Sequence, residues 1–270
     1  MQSKILFLGT AGDSFTAGKQ MRASGGIIFS YEDSQFHIEP GPGSLVMAKM
    51  TSINLRETST LIVTGNDLIK ANDLNMCISA MTHEGLDKRG VLICPSDVAA
   101  MSAGNIPILN PKYQEFLEKT IVVDNTRKIG INNIDFEIIE LKEPISKNYA
   151  FKIITPKFNL SYVPNTAYSA ELGENLRDTD ILILNVPEPR GSDRRDSLNS
   201  EDAEKIIKKA DPQLVLITGF GIKMLQADPL YEIREIQKNS GVQAIAAKDG
   251  MTINPMSFAS TVRQKSLRHF

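Results

Sequence analysis

Leu61-Ile62-Val63-Thr64-Gly65 and Leu214-Val215-Leu216-Ile217-Thr218-Gly219 are two apolar runs that end alike, each delivering a Thr-Gly pair after a strand-length stretch. Short runs rich in Leu, Ile and Val read as strands buried on both faces, the pattern of parallel strands covered by helices. In α/β proteins sites gather at the carboxyl ends of such strands, so both Thr-Gly pairs mark a candidate site edge.

The surrounding chain extends this pattern. Residues 4–10 read as a buried strand ending at a glycine turn, and residues 25–31 and 35–38 as the hairpin that follows. Gly41-Pro42-Gly43 breaks the chain before a helix starting at Ser44, and a second helix is expected over residues 72–81. Short β runs recur at 91–94, 121–123, 136–141, 151–154 and 160–163, with helices near Pro95 and Pro111. The later chain is more regular, with strands at 181–184, 214–217 and 242–245 between helices starting at Ser200 and Asp228. Asp228 suits an N-cap with Pro229 at the first helical position. Glu201 and Asp202 at one end, with Lys208 and Lys209 at the other, suit a helix dipole. Strands followed by alternating strands and helices, once in each half, describe two packed sheets with helices outside. Periodicity alone leaves a doubly wound sheet as the rival. No low-complexity linker interrupts residues 1–270, which read as a single domain.

A hydrophobic fraction of 41% over 270 residues is enough for one large core. Thirty basic against 32 acidic side chains give a net charge of -2, which removes any global attraction to nucleic acid or an anionic membrane. The apolar runs are far shorter than the roughly 20 residues of a membrane helix. Residues 1–4 lead into a strand without a signal-peptide pattern, so the expected location is the cytoplasm. Cys77 and Cys94 read as small buried apolar side chains, since two cysteines so placed form neither a disulfide framework nor a zinc-finger spacing.

Taken with Phe7-Leu8-Gly9-Thr10, Ile38-Glu39-Pro40-Gly41-Pro42-Gly43, Tyr162-Val163-Pro164-Asn165-Thr166 and Asp249-Gly250, the order of these segments resembles the metallo-β-lactamase superfamily. The nearest branch is the ribonuclease Z and cyclic-phosphodiester hydrolase type, which includes archaeal proteins of unassigned activity. The resemblance covers nearly the whole chain and rests on the order of several motifs, none sufficient alone. It implies an α/β fold, a four-layer αββα sandwich, with the active site along one edge of the two sheets and zinc bound there.

The chain departs from the family where the metal should be. At the four positions of the family's His-x-His-x-Asp-His signature stand Gly65, Asp67, Ile69 and Lys70. Asn165 replaces the metal-bridging aspartate, and Gly219 replaces a histidine after Thr218. A further histidine is missing before Tyr149-Ala150-Phe151, where Glu143 is nearby, and Ser197 is the nearest match to a catalytic histidine ahead of the helix at Ser200. Zinc needs several His, Cys or carboxylate ligands to be held and to acidify a bound water. Asp67 alone keeps a ligand-capable side chain, and Lys70 brings positive charge where a cation should bind. The expectation is therefore no metal and no cofactor.

What remains is a vestigial pocket built from Gly65, Asn66, Asp67, Lys70, Asp73, Asn165, Thr166, Ser197 and Gly219. The local alternative is that Asp67 and Lys70 pair or cap a helix. His37, His83 and His269 are scattered. Ser14, Ser24 and Ser102 have no histidine base that can be placed beside them, and no Gly-x-Ser-x-Gly elbow occurs. Arg190, Arg194 and Arg195 alternate with aspartates, which favours a solvated loop over phosphate or RNA contact. Arg22, with Gly25 and Gly26, is read as an anchor of the first hairpin beside the cleft.

The first functional expectation is a catalytically silent member of the fold, a homo-oligomer such as a homodimer, retained to bind an unidentified protein or small molecule. The second is a hydrolase of phosphodiester or ester bonds, using Asp13, Asp67, Asp73 or Asp249 with Mg²⁺ or Mn²⁺ or without metal. The third, weaker, is RNA binding.

Overall fold

The structure, a computed structural model, describes residues 3–101, 104–142 and 147–259. Ser102, Glu143 and His269 lie outside the described residues. Two seven-stranded sheets face each other. The first contains β1 (Lys4–Phe7), β2 (Ile27–Tyr31), β3 (Ser34–Ile38), β4 (Thr58–Ile62), β5 (Val91–Cys94) and β6 (Lys119–Val122). The second contains β7 (Lys128–Ile131), β8 (Ile134–Glu140), β9 (Tyr149–Ile154), β10 (Asn159–Val163), β11 (Ile181–Asn185), β12 (Leu214–Thr218) and β13 (Gln243–Ala246). A final short strand, β14 (Thr252–Ile253), returns to the first sheet and pairs with β1.

Both sheets change direction in the same way. Pairing is antiparallel from β14 through β1 and β2 to β3, then parallel from β3 to β6. It is antiparallel again from β7 to β10 and parallel from β10 to β13. The single doubly wound sheet is thereby replaced by a sandwich.

The period of two along each strand separates the layers. Ile5 and Phe7 point into a central core with Phe29, Phe36, Ile62, Phe136, Phe151 and Ile183. Leu6 and Leu8 point the other way, into an outer core that includes Leu61, Val63, Leu74 and Ile78. On the opposite side Leu182, Leu184, Val215 and Ile217 meet Ile206, Ile207, Ile233 and Ile236 from the covering helices. The result is the αββα order. Aromatic packing crosses the middle, with Phe29 5.6 Å from Phe36 and Phe36 5.7 Å from Phe136, centroid to centroid. Each such fully buried side chain contributes on the order of 1.5–3 kcal/mol.

The helices begin where capping residues place them. Asn199 caps Ser200–Ala210 by accepting from the Asp202 N–H at 2.9 Å. Asp228 caps Pro229–Ser240, which closes at Gly241 in the left-handed region. The helix expected over 72–81 is Leu74–Thr82, and a separate short helix, Leu68–Ala71, precedes it. Asp73 separates them because its N–H bonds Pro40 O at 3.0 Å, and its carboxylate accepts from Gly43 N at 3.0 Å. Cys77 and Cys94 are buried and unpaired, and burial pushes the Cys94 thiol up to about 12. No helix among the described residues is long and apolar enough to cross a membrane.

Candidate functional site

The cleft lies where the carboxyl ends of the parallel strands of both sheets meet. After β3 the chain turns through Glu39, at φ 56, and its N–H donates to Ile62 O at 2.8 Å. This sets the Glu39 carboxyl beside the end of β4, where the Thr64 hydroxyl donates to Oε1. Oε2 is buried and has no hydrogen-bond partner. Glu39 is only 5% exposed, and burial pushes its pKa up to about 7 against the opposing pull of the Lys70 charge and the Thr64 hydroxyl.

Lys70 sits in the short helix Leu68–Ala71, whose first turn is capped by Asp67 accepting from Ile69 N at 3.1 Å. Its ammonium donates to Asn148 Oδ1 at 2.7 Å. A Cβ added at Gly65 would lie 3.2 Å from that ammonium and 3.1 Å from Lys147 O. The Lys70 ammonium therefore stands in tight contact with the place a side chain at position 65 would take.

The second half of the cleft is lined with amides. Asn148 donates to Asn165 O at 2.9 Å, and Asn165 donates to Ser197 Oγ at 3.0 Å while its own Oδ1 is buried without a partner. Asn185, the last residue of β11, donates to Val163 O at 2.8 Å. A Cβ at Gly219 would fall 2.1 Å from Asn185 Oδ1, and Gly219 has φ 68. Burial holds the Tyr162 phenol well above its ordinary range, with Glu39 adding to the effect. The two halves are tied at the rim, where Phe220 N donates to Thr10 O at 2.8 Å and Gly12 N to Phe220 O at 3.0 Å.

These groups enclose a cavity of about 320 Å³. Of the residues expected from sequence, Gly65, Asn66, Asp67, Ile69, Lys70 and Asn165 line it. Asp73 anchors Gly43, Ser197 stands behind Asn165, Gly219 behind Asn185, and the Thr166 hydroxyl donates to Ala167 O at 3.3 Å. Glu39, Asn148, Tyr162 and Asn185 also line the cavity and were not singled out by sequence reasoning. Glu39 lay in a quoted motif, but nothing in its neighbours shows that a left-handed turn aims it inward. Asn148 and Asn185 carry no motif signal.

The donor set does not fit zinc. Among the described residues no group of three or more His, Cys, Asp or Glu is placed to hold a metal ion. Asn185 occupies the space of a side chain at Gly219, the Lys70 ammonium crowds that at Gly65, Asp67 is spent as a cap, and Lys70 adds a cation. The four aspartates of the relocated-site reading each answer local donors. Asp13 accepts from Thr16 N at 2.6 Å, Asp67 from Ile69 N and Asp73 from Gly43 N. Asp249 accepts from the Thr10 hydroxyl at 2.7 Å and from Ala23 N at 2.8 Å.

His37 is fully buried, its Nε2 2.8 Å from Gly25 O, and burial lowers its pKa to about 4. The neutral ring therefore donates from Nε2. Ser24 donates to Pro42 O at 2.8 Å. The Arg22 guanidinium lies 5.8 Å from the Phe220 ring, so it packs on the rim bridge between the halves. In the arginine cluster, Arg190 pairs with Glu204 and Arg194 with Asp196 and Glu188.

No family model matches the chain. Among solved structures it matches YhfI of Bacillus subtilis, a metallo-β-lactamase fold protein, with a TM-score of 0.76 over 93% of this chain and 98% of that one, at 15% identity. The chain has the metallo-β-lactamase fold. The same fold relates it to the short form of human tRNase Z, with a TM-score of 0.67 over 93% of this chain and 98% of that one at 10% identity. Igni18, a metallo hydrolase of the archaeon Ignicoccus hospitalis, matches with a TM-score of 0.64 over 94% of this chain and 98% of that one at 11% identity. In sequence the chain is 24% identical over 255 residues to an uncharacterized protein of Methanocaldococcus jannaschii, covering 94% of this chain and 95% of the relative. At these identities the metallo-β-lactamase likeness speaks to the fold, and the activity has to be argued from the cleft.

Proposed function

We propose that this protein is a metallo-β-lactamase-fold binding protein whose cleft takes a small polar ligand without a metal and without the hydrolytic chemistry of metal-bound water. The observation that carries the reading is the Lys70 ammonium, bonded to Asn148 and standing against Gly65 where the resemblance puts the first metal-ligating histidine. A fixed organic cation there opposes a second cation by like-charge repulsion. The remaining polar wall includes amides, a phenol, the buried Glu39 carboxyl and the carboxylates of Asp67 and Asp196, groups that bind by hydrogen bonds and of which Asp67 already caps a helix and Asp196 pairs with Arg194. No second reading is favoured, because the aspartates offered for a relocated site are engaged separately.

The test is turnover of bis(p-nitrophenyl) phosphate by protein supplied with Zn²⁺ or Mn²⁺ and by the same protein after chelation. The proposal expects no difference from buffer in either case. Metal-dependent turnover abolished by the chelator contradicts it.

A further inference from the structure

We propose that the ligand of this cleft is a small monocarboxylate with a short apolar body, its carboxylate set on the Lys70 ammonium; this rests on the reading of the cleft as a binding site. The geometry of Lys70, the charge of the wall and the size of the cavity each bear on that choice.

Lys70 lines the cavity, and its ammonium is fixed by Asn148 Oδ1 at 2.7 Å. That acceptor is a neutral amide, so the bond orients the ammonium without cancelling its charge. An ammonium has three N–H donors, and a bond to a ligand is compatible with the bond to Asn148. A charge-assisted bond between an ammonium and a carboxylate is roughly twice as strong as a neutral one. The cation that opposes a metal in this cleft thus suits an anion.

The other charged groups on the wall are Glu39, Asp67 and Asp196. Asp196 is held by Arg194, whose Nε and Nη2 reach its two oxygens at 2.7 and 3.3 Å. Asp67 is exposed, so water screens it, and it already accepts from Ile69 N. Glu39 is 5% exposed, and burial pushes its pKa up to about 7, so it is mainly neutral in mildly acidic solution. Lys70 then sets the sign of the inner wall, and one ammonium balances one negative charge. A dianion would bring a second, uncompensated charge towards Asp67 and Asp196.

The cavity of about 320 Å³ is at the lower end of the range for small-molecule sites, roughly 300–1,000 Å³. Beside its polar groups it is lined by Ala11, Ile27, Ile69 and Pro164. These side chains suit a short run of carbon atoms attached to the carboxylate, whose burial adds to the ionic bond.

The experiment is thermal denaturation of the full-length, chelator-treated protein at about pH 6, where Glu39 is mainly neutral. Sodium butyrate is compared with butyramide, which has the same shape without the charge, with sodium sulfate, which carries two charges, and with sodium chloride, the salts at equal ionic strength. Salts excluded from protein surfaces stabilise any fold, so each shift is read as the difference between wild type and Lys70→Met. Butyrate gives a saturable rise in Tm of a few degrees beyond that of the variant, and the other three do not. Should Lys70→Met fail to fold, the side-chain amide resonances of Asn148 in the wild-type protein decide, moving with butyrate and staying fixed with butyramide. An equal shift from butyramide or sulfate, no shift from butyrate, a butyrate shift undiminished in Lys70→Met, or Asn148 resonances that ignore butyrate overturn the assignment. None of these arms reads metal-dependent turnover, so this inference and the reading beneath it fail separately.

Discussion

Glu39 is placed where its ionisation destabilises the fold. Its pKa of about 7, raised by burial, exceeds the 4.5 of an ordinary glutamate, so the folded chain holds a proton over a range in which the unfolded chain has lost it. The sign follows from linkage: stability from this group is present at low pH and declines as pH rises from the unfolded value through the folded one. His37 works in the opposite direction, because its folded pKa of about 4 lies below 6.5, and its contribution is lost as pH falls through that range. Comparing wild type with Glu39→Gln cancels the histidine. The stability of wild type relative to Glu39→Gln, measured by urea unfolding, should fall by on the order of 3 kcal/mol between about pH 5 and pH 8. A pH-independent difference would show that Glu39 is not buried as described. Gly219 gives a second residue-level expectation. Its φ of 68 and the 2.1 Å approach to Asn185 Oδ1 mean that Gly219→Ala should cost about 1–3 kcal/mol in the same assay. Here the sequence was half legible. Gly65, Lys70, Asn165 and Gly219 could be read directly, but Lys70 crowding position 65 and Asn185 closing on Gly219 are tertiary facts with no local signal.

Among the elements, the strands were legible and the short helices were not. Strands such as β11 and β12 announce themselves because four successive apolar residues suit a strand buried on both sides. β7 escaped notice because it has exposed residues at Lys128 and Gly130 and lies at a sheet edge, which weakens the hydrophobic pattern. The helix over 72–81 was misplaced at its start because Asp73 turns its N–H to Pro40, a partner 33 positions earlier in the chain. The better-marked helix Ser200–Ala210 covers the second sheet through Ala203, Ile206 and Ile207 and depends on Asn199 for its first turn. Asn199→Ala leaves the Asp202 N–H without its partner and should lower stability by about 1 kcal/mol. No change in the unfolding midpoint would show that the cap is replaced by water at no cost.

Over the whole molecule, the two sheets repeat one plan, antiparallel then parallel, and the halves are tied at the rim by the Phe220 backbone and by Asp249. That plan places six strand ends, from both halves, around one cleft, which is why residues far apart in sequence meet at a single site. The fold was legible because it depends on the order of many apolar runs, each tolerant of substitution. The chemistry was harder to read because it depends on a few polar side chains and on how their neighbours close around them. The central claim is that an internal ammonium and a ring of amides stand where this fold otherwise invites metal. It is tested most directly by the metal content of untagged protein, purified in metal-supplemented buffer without chelator and measured by inductively coupled plasma mass spectrometry. The account predicts a stoichiometry near zero for zinc, manganese and iron, and one or two ions held per chain would contradict it.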